Sequence, residues 1–319
     1  MSTSPAPIKI GISACLLGSP VRFNGGHKQS QLCSTTLAHY FEFVPACPEV
    51  AIGLGTPRQP IRLVGDPAQP KARGSVDPNL DVTEALHSYG QQLASRLTDI
   101  SGYILMQKSP SCGMERVKVY QDNGHPAEGG GSGIFAAALM QALPDLPIEE
   151  DGRLNDPVLR ENFLTRVYAY AAWQQLLREG LTRKALIAFH TRYKYQLMAT
   201  SPRDYRELGR RVGQSSEQPL ASFAAEYFSD LMQALRQPAN RGTHCNVLQH
   251  LSGYFKRQLS APDRQELQRL IQQYRKGIVP LVVPLTLLKH YLRHYPDVYL
   301  TQQAYLQPHP EELSLRNAI

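Results

Sequence analysis

The chain has 319 residues, 42% of them hydrophobic and 19% charged, and carries a formal net charge of +7. This is the composition of a water-soluble globular protein, and the length favours two domains over one core. Met1 to Pro7 is small and polar with no apolar run behind it, and the most apolar stretch, Ile278 to Leu288, is broken by Pro280 and Pro284, so neither a signal peptide nor a membrane span is expected.

From Lys9 to Leu143 short strand signals alternate with helical ones. Lys9 to Ala14 and Phe41 to Ala46 read as strands, with a helix over Lys28 to Tyr40 between them. Gly53 to Val76, rich in Gly, Pro and Arg, reads as an irregular loop. Asp81 to Ile100 places Val82, Leu86, Leu93 and Leu97 on one helical face and leads into an apolar strand over 102–107. Val117, Val119 and Tyr120 suggest a further short strand, and a glycine run over 129–133 opens a helix from Ile134 to Leu143. That run either presents backbone N–H groups to a phosphate or forms a plain tight turn; it is neither a Walker loop nor a dinucleotide fingerprint. The alternation predicts an α/β domain with a mostly parallel, open, Rossmann-like sheet and helices on its faces.

Pro144 to Asp156 is polar and acidic and reads as the boundary between a domain over 1–152 and a second over 153–319. Beyond it the pattern is helical throughout, from the Asp156-Pro157 cap through helices over 182–199, 203–212, 219–236, 243–259, 262–276 and 284–295. The last ten residues read as frayed. Residues 1–150 hold 11 Lys and Arg against 13 Asp and Glu, a balance of −2, whereas residues 151–319 hold 23 against 14, a balance of +9. The second domain is therefore expected to be all-α and basic, and its excess charge suggests recruitment of RNA or a nucleotide through residues such as Arg192 and Lys194.

Five cysteines without an export signal are expected to be reduced in the cytoplasm, where clustered thiols serve metals or catalysis before disulfides. Cys15, Cys47 and Cys112 each follow the carboxyl end of a predicted strand, and in a parallel sheet those ends share one crevice. Three convergent thiolates suit a soft metal or an iron–sulfur cluster. Cys33, inside a predicted helix, and Cys245, in the helical half, read as small buried hydrophobes. His290 and His294, four apart with no nearby carboxylate or thiol, read as structural or surface residues.

The motifs Ser13-Ala14-Cys15-Leu16-Leu17-Gly18, Arg22-Phe23-Asn24-Gly25-Gly26, Cys47-Pro48-Glu49-Val50, Pro57-Arg58 and Ser109-Pro110-Ser111-Cys112-Gly113 resemble, in this order, those of the thiouracil desulfidase family. The likeness covers about residues 8–150, with Phe23-Asn24 departing from a usual Tyr-Asp pair. Residues from about 153 resemble a helical domain of unknown function often fused to it. The resemblance implies a 4Fe–4S cluster held by Cys15, Cys47 and Cys112 alone, one iron left open to thiocarbonyl sulfur. It implies an enzyme that replaces sulfur by oxygen in a thiolated pyrimidine base or nucleotide. Glu49 is then the expected general base, with Ser109 assisting, and Arg22, Arg58, Lys108 and Ser111 the expected substrate contacts. Two other readings of the same residues are a zinc-thiolate hydrolase with Glu49 activating bound water, and a non-enzymatic iron–sulfur or RNA-binding module.

Overall fold

The computed structural model describes residues 7–319 apart from 122 and 314, so the Met1 to Ala6 part of the N-terminal reading lies outside the described residues. Seven strands occur in the first half: β1 (Ile8–Ser13), β2 (Phe41–Ala46), β3 (Ile61–Val64), β4 (Lys71–Gly74), β5 (Ile100–Leu105), β6 (Val119–Tyr120) and β7 (Ile148–Glu150). β2, β1, β5 and β7 form, in that order, a wholly parallel sheet. Such sheets are covered on both faces, which is why β5 is buried along all six residues and Ile10 and Ile12 of β1 are fully buried. Gly11 is paired with Tyr103, whose ring occupies the space a side chain would need, since a Cβ on Gly11 would stand 2.2 Å from its Cδ2.

Helices α1 (Pro48–Ala51), α2 (Thr83–Arg96) and α3 (Ile134–Ala142) complete this half. Tyr89 of α2 stacks on Phe135 of α3 at 5.8 Å between ring centroids, and Phe135 also meets Tyr103 of the sheet. The α/β expectation holds, with four local corrections. The stretch over 28–40 is a π-helical turn, Leu32–Thr36, followed by a 3-10 turn, because Ser34 and Thr35 turn their hydroxyls onto the backbone carbonyls of Ser30 and Gln31. The segment over 53–76 is not all loop: β3 and β4 pair antiparallel there, and β3 pairs with β6 to form a second sheet. The acidic stretch after Pro144 contains β7, whose Glu149 accepts from Arg153 at 2.6 Å and whose Glu150 accepts from the Met114 backbone at 2.7 Å. Its carboxylates are buried and bonded, not solvated. The C-terminus ends in 3-10 turns with Leu315 and Arg316 buried, so it is not frayed.

The chain divides into two compact units, Met1–Asn155 and Asp156–Ile319. The second is helical: α4 (Pro157–Glu179), α5 (Arg183–Thr200), α6 (Pro202–Gly213), α7 (Leu220–Leu235), α8 (Arg241–Gly253), α9 (Ala261–Arg275), α10 (Val282–His294) and α11 (Val298–Thr301). Side-chain caps start many of them, including Asp156 for α4, Thr182 for α5 and Asn240, in a capping box, for α8. Trp173 lies flat on Phe228 at 4.8 Å in one hydrophobic core of this unit. No described helix is long and apolar enough to cross a membrane.

Two buried histidines set an acid limit on this unit. His190 bonds the Tyr227 hydroxyl and His244 the Tyr305 hydroxyl, and burial pushes both imidazoles down to about 4. An unfolded chain takes up those protons near the ordinary value of 6.5, so folding stability falls as pH drops from there toward 4. Denaturant melts across that window should show the loss. A His190→Leu, Tyr227→Phe double variant, which removes both ends of one hydrogen bond, should show a shallower one.

Candidate active site

β1 lies between β2 and β5, so all three strands deliver the residues that follow them to the same edge. After β1 the chain tightens into a 3-10 turn, Ala14–Leu17, holding Cys15. After β2, Cys47 is the N-cap of α1, with Pro48 at its first position. After β5, residues 106–113 form a loop ending at Cys112. The three thiols line one cavity of about 440 Å³, together with Glu49, Arg22, Arg58, Lys108, Ser109 and Ser111. Every residue expected at the site is therefore on its wall. Cys33 is fully buried in the π-helical turn and Cys245 is buried in the second unit, and neither lines it.

A hydrogen-bonded chain organises the wall. Glu49 Oε2 accepts from Arg58 Nε at 2.9 Å and Nη2 at 2.8 Å, and the other oxygen, Oε1, accepts from the Ser111 hydroxyl at 2.6 Å. Ser111 Oγ is 3.0 Å from Ser109 Oγ and 3.7 Å from Cys112 Sγ. Ser109 in turn accepts from the backbone N–H groups of Ser111 and Cys112 at 3.3 and 3.1 Å. Ser109 thus shapes the turn, while Ser111 touches both the carboxylate and the thiol. Arg58 also donates to the carbonyls of Gly55 and Val21. Its guanidinium is committed to Glu49 and the backbone, which makes it a positioning residue in this structure. Arg22, over the Phe23 ring at 5.7 Å, and the exposed Lys108, held at a left-handed φ of 57°, make no such commitment among the described residues.

Two supports were not legible in the motifs. Ser13 Oγ accepts from the Met106 N–H at 3.0 Å, tying the end of β1 to the loop after β5. Asp151, just past β7, accepts from the Gln107 N–H at 3.0 Å and braces the same loop. Ser13 could have been suspected from its place two residues before Cys15, but Asp151 lies in a stretch that reads as linker. The glycine run resolves as close packing. Gly133 and Ile134 donate to the carbonyls of Gly113 and Pro110, and a Cβ on Gly133 would stand 2.6 Å from the Ser111 carbonyl. These N–H groups hold the cysteine loop and are not free to receive a phosphate.

Burial pushes the Cys15 thiol up to about 11, raises Cys47, and raises Cys112 furthest. Left alone, these groups stay protonated, and becoming thiolates requires positive charge placed among them. Among the described residues no three His, Cys, Asp or Glu stand as a group that could hold one metal ion. A polynuclear cluster makes a different demand, because each thiolate binds its own metal atom and the ligands stand further apart. The His290–His294 pair, with rings 4.5 Å apart, gains no third ligand among the described residues. In the second unit Arg192 lies over Tyr193, and Lys194 over Tyr195 and Tyr299.

A family model described as 2-thiouracil desulfurase matches residues 10–151, and one described as a protein of unknown function, DUF1722, matches residues 194–310. The uncharacterized protein YbgA of Escherichia coli (strain K12) is 38% identical over 159 residues, which are 50% of this chain and 94% of that protein. The uncharacterized protein YbbK of Bacillus subtilis (strain 168) is 32% identical over 151 residues, 46% of this chain and 97% of that protein. A solved structure, the [4Fe-4S]-dependent thiouracil desulfidase TudS, is 32% identical, covers 47% of this chain and 94% of its own, and superposes with a TM-score of 0.36.

The Glu49–Arg58 pair has a stability consequence, since its side chains are only 13% and 5% exposed. Arg58→Met strands the carboxylate and should destabilise the first unit by about 3 kcal/mol. Adding Glu49→Gln should restore part of that, and urea unfolding of the singles and the double measures the coupling. Strictly additive costs would mean the two side chains are independent.

Proposed function

The chain belongs to the 2-thiouracil desulfurase family through residues 10–151, and from that premise we propose that it replaces the sulfur of a thiolated pyrimidine base or nucleotide, such as 4-thio-UMP, by oxygen from water. The observation that carries this reading is the convergence of three buried thiols and one bonded carboxylate on a single cavity. Cys15, Cys47 and Cys112 would hold a 4Fe–4S cluster, which fits a donor set of three thiols and no fourth. When bound, the cluster supplies a Lewis acid for soft thiocarbonyl sulfur at the iron that no protein ligand occupies.

The chain's own residues then do the proton work. Glu49 accepts a proton from the water that adds to the ring carbon, on a carboxylate whose two oxygens are held by Ser111 and Arg58 respectively. Carbon gains an oxygen and loses sulfur as sulfide, so no electrons are exchanged with an outside partner. Ser111, between Glu49 Oε1 and Cys112 Sγ, keeps the base close to the cluster side of the cavity. Arg22 and Lys108, on the wall and with no side-chain hydrogen bond among the described residues, take the substrate's carbonyl oxygens or phosphate. Ser109 fixes the loop through its own hydroxyl, so its removal acts on geometry first.

Anaerobic reconstitution tests the ligand set: Cys15→Ser, Cys47→Ser and Cys112→Ser should each lose iron, whereas Cys33→Ser and Cys245→Ser should keep it. Full iron retention in any of the first three would remove the assignment. Glu49→Gln should keep the cluster and lower turnover of thiouracil or 4-thio-UMP by at least about a hundredfold, the contribution of a placed general base. Near-normal rates in that variant would leave the carboxylate a purely structural role.

A further inference from the structure

The second unit contains a cavity that the desulfurisation reading does not use. α10 presents one face to it, through residues 282, 285, 286, 289 and 293, and residues 306–309, 311 and 315–317 line the other side around about 260 Å³. That spacing is the stripe of a helix, apolar at Val282 and Leu285 and cationic at Lys289 and Arg293.

Two side chains on its wall, Arg316 and His309, are each only 7% exposed. Arg316 donates through Nε to Glu161 Oε1 at 3.1 Å and through Nη1 to the Tyr305 carbonyl at 2.5 Å. Its remaining nitrogen, Nη2, is buried and has no hydrogen-bond partner among the described residues, whereas His309, with Nδ1 3.2 Å from the Pro310 carbonyl, turns Nε2 toward Glu161 Oε1 at 3.8 Å. A buried guanidinium nitrogen left without an acceptor is rare, and in a cavity wall it marks room for one. The wall carries three cations, Lys289, Arg293 and Arg316, against one carboxylate, Glu311, a balance of +2. Counting Glu161 behind Arg316 leaves +1. Lys289 pairs with Glu311, whose carboxylate is 62% exposed, so that solvent screens the pair.

We propose that this cavity binds a small oxyanion, a phosphate monoester or a carboxylate, whose charged head meets Arg316, Arg293 and Lys289 and whose body lies against Leu285, Leu306 and Leu315. Guanidinium groups suit such a head because their planar N–H forks match its oxygens two at a time. The assignment is independent of the chemistry in the first unit.

Isothermal titration of the full chain with inorganic phosphate and, separately, with butyrate, at constant ionic strength set by chloride, tests it. At least one probe should saturate a site whose affinity falls at least about tenfold in Arg293→Gln and again in the Lys289→Gln, Arg293→Gln double variant, the scale of losing a charge-assisted hydrogen bond. Arg264→Gln, on α9 and outside the cavity, should leave it unchanged. Thr286→Trp, which fills the mouth, should abolish it while circular dichroism stays constant. Phosphate without butyrate identifies a phosphate ester, and the reverse a carboxylate. The proposal is overturned if neither probe saturates at millimolar concentration, or if binding survives undiminished in the double variant, which would place it at another site.

Discussion

The pair of Glu49 with Arg58 joins three loops that sequence keeps far apart. Glu49 belongs to α1, directly after β2, its Ser111 partner to the loop after β5, and Arg58 donates to Val21 in the connection after β1. A parallel sheet brings those loops to one edge but does not fix their relative positions. An ion pair shielded from solvent does, because displacing either partner leaves a buried charge uncompensated. The cavity therefore derives its shape from the same carboxylate that stands beside its thiols, and stability and chemistry share one group.

The sheet was readable because its strands follow simple rules. The runs ending at Ala14, Ala46 and Met106 are short, apolar and stopped by small residues or prolines, and their carboxyl ends could be aligned without any knowledge of register. That three thiols would converge followed from their place at strand ends, whereas their role as cluster ligands and that of the carboxylate came from the family resemblance. What escaped depends on partners distant in sequence. β7 looked like an acidic linker because the bonds of Glu149 and Glu150 to Arg153 and Met114 exist only in the folded chain. β3 and β4, four residues each, are too short for alternation to stand out among Gly, Pro and Arg. Arg58 read as a substrate ligand, since nothing local reveals that its guanidinium is already bonded on several sides.

The basic excess of the helical unit looks different once its pairs are seen. Arg210 binds Glu207, Arg211 binds Glu226 and Asp230, Arg269 binds Glu266, and Arg316 binds Glu161. These pairs show which cations are already engaged while leaving the excess of +9 unchanged, and net charge counted along a sequence is a poor map of a surface field. Where cations do gather around a cavity, at Arg293 and Arg316, one is near the surface and the other nearly buried. That distinction between a solvated charge and an enclosed one is invisible to composition.

The bracing of the Cys112 loop also dictates an order of events during synthesis. Cys15 and Cys47 leave the ribosome early, but the loop bearing Cys112 is held by N–H groups of Gly133, Ile134 and Ala136 and by Asp151. Nothing can be seated among the three thiols until the chain has grown past residue 151, when the first unit is complete and the second has only begun. Loading of the site is therefore uncoupled from the folding of its earliest strands. Until that point Cys15 and Cys47 lack the wall that later encloses them, because the segment that supplies it has yet to be made.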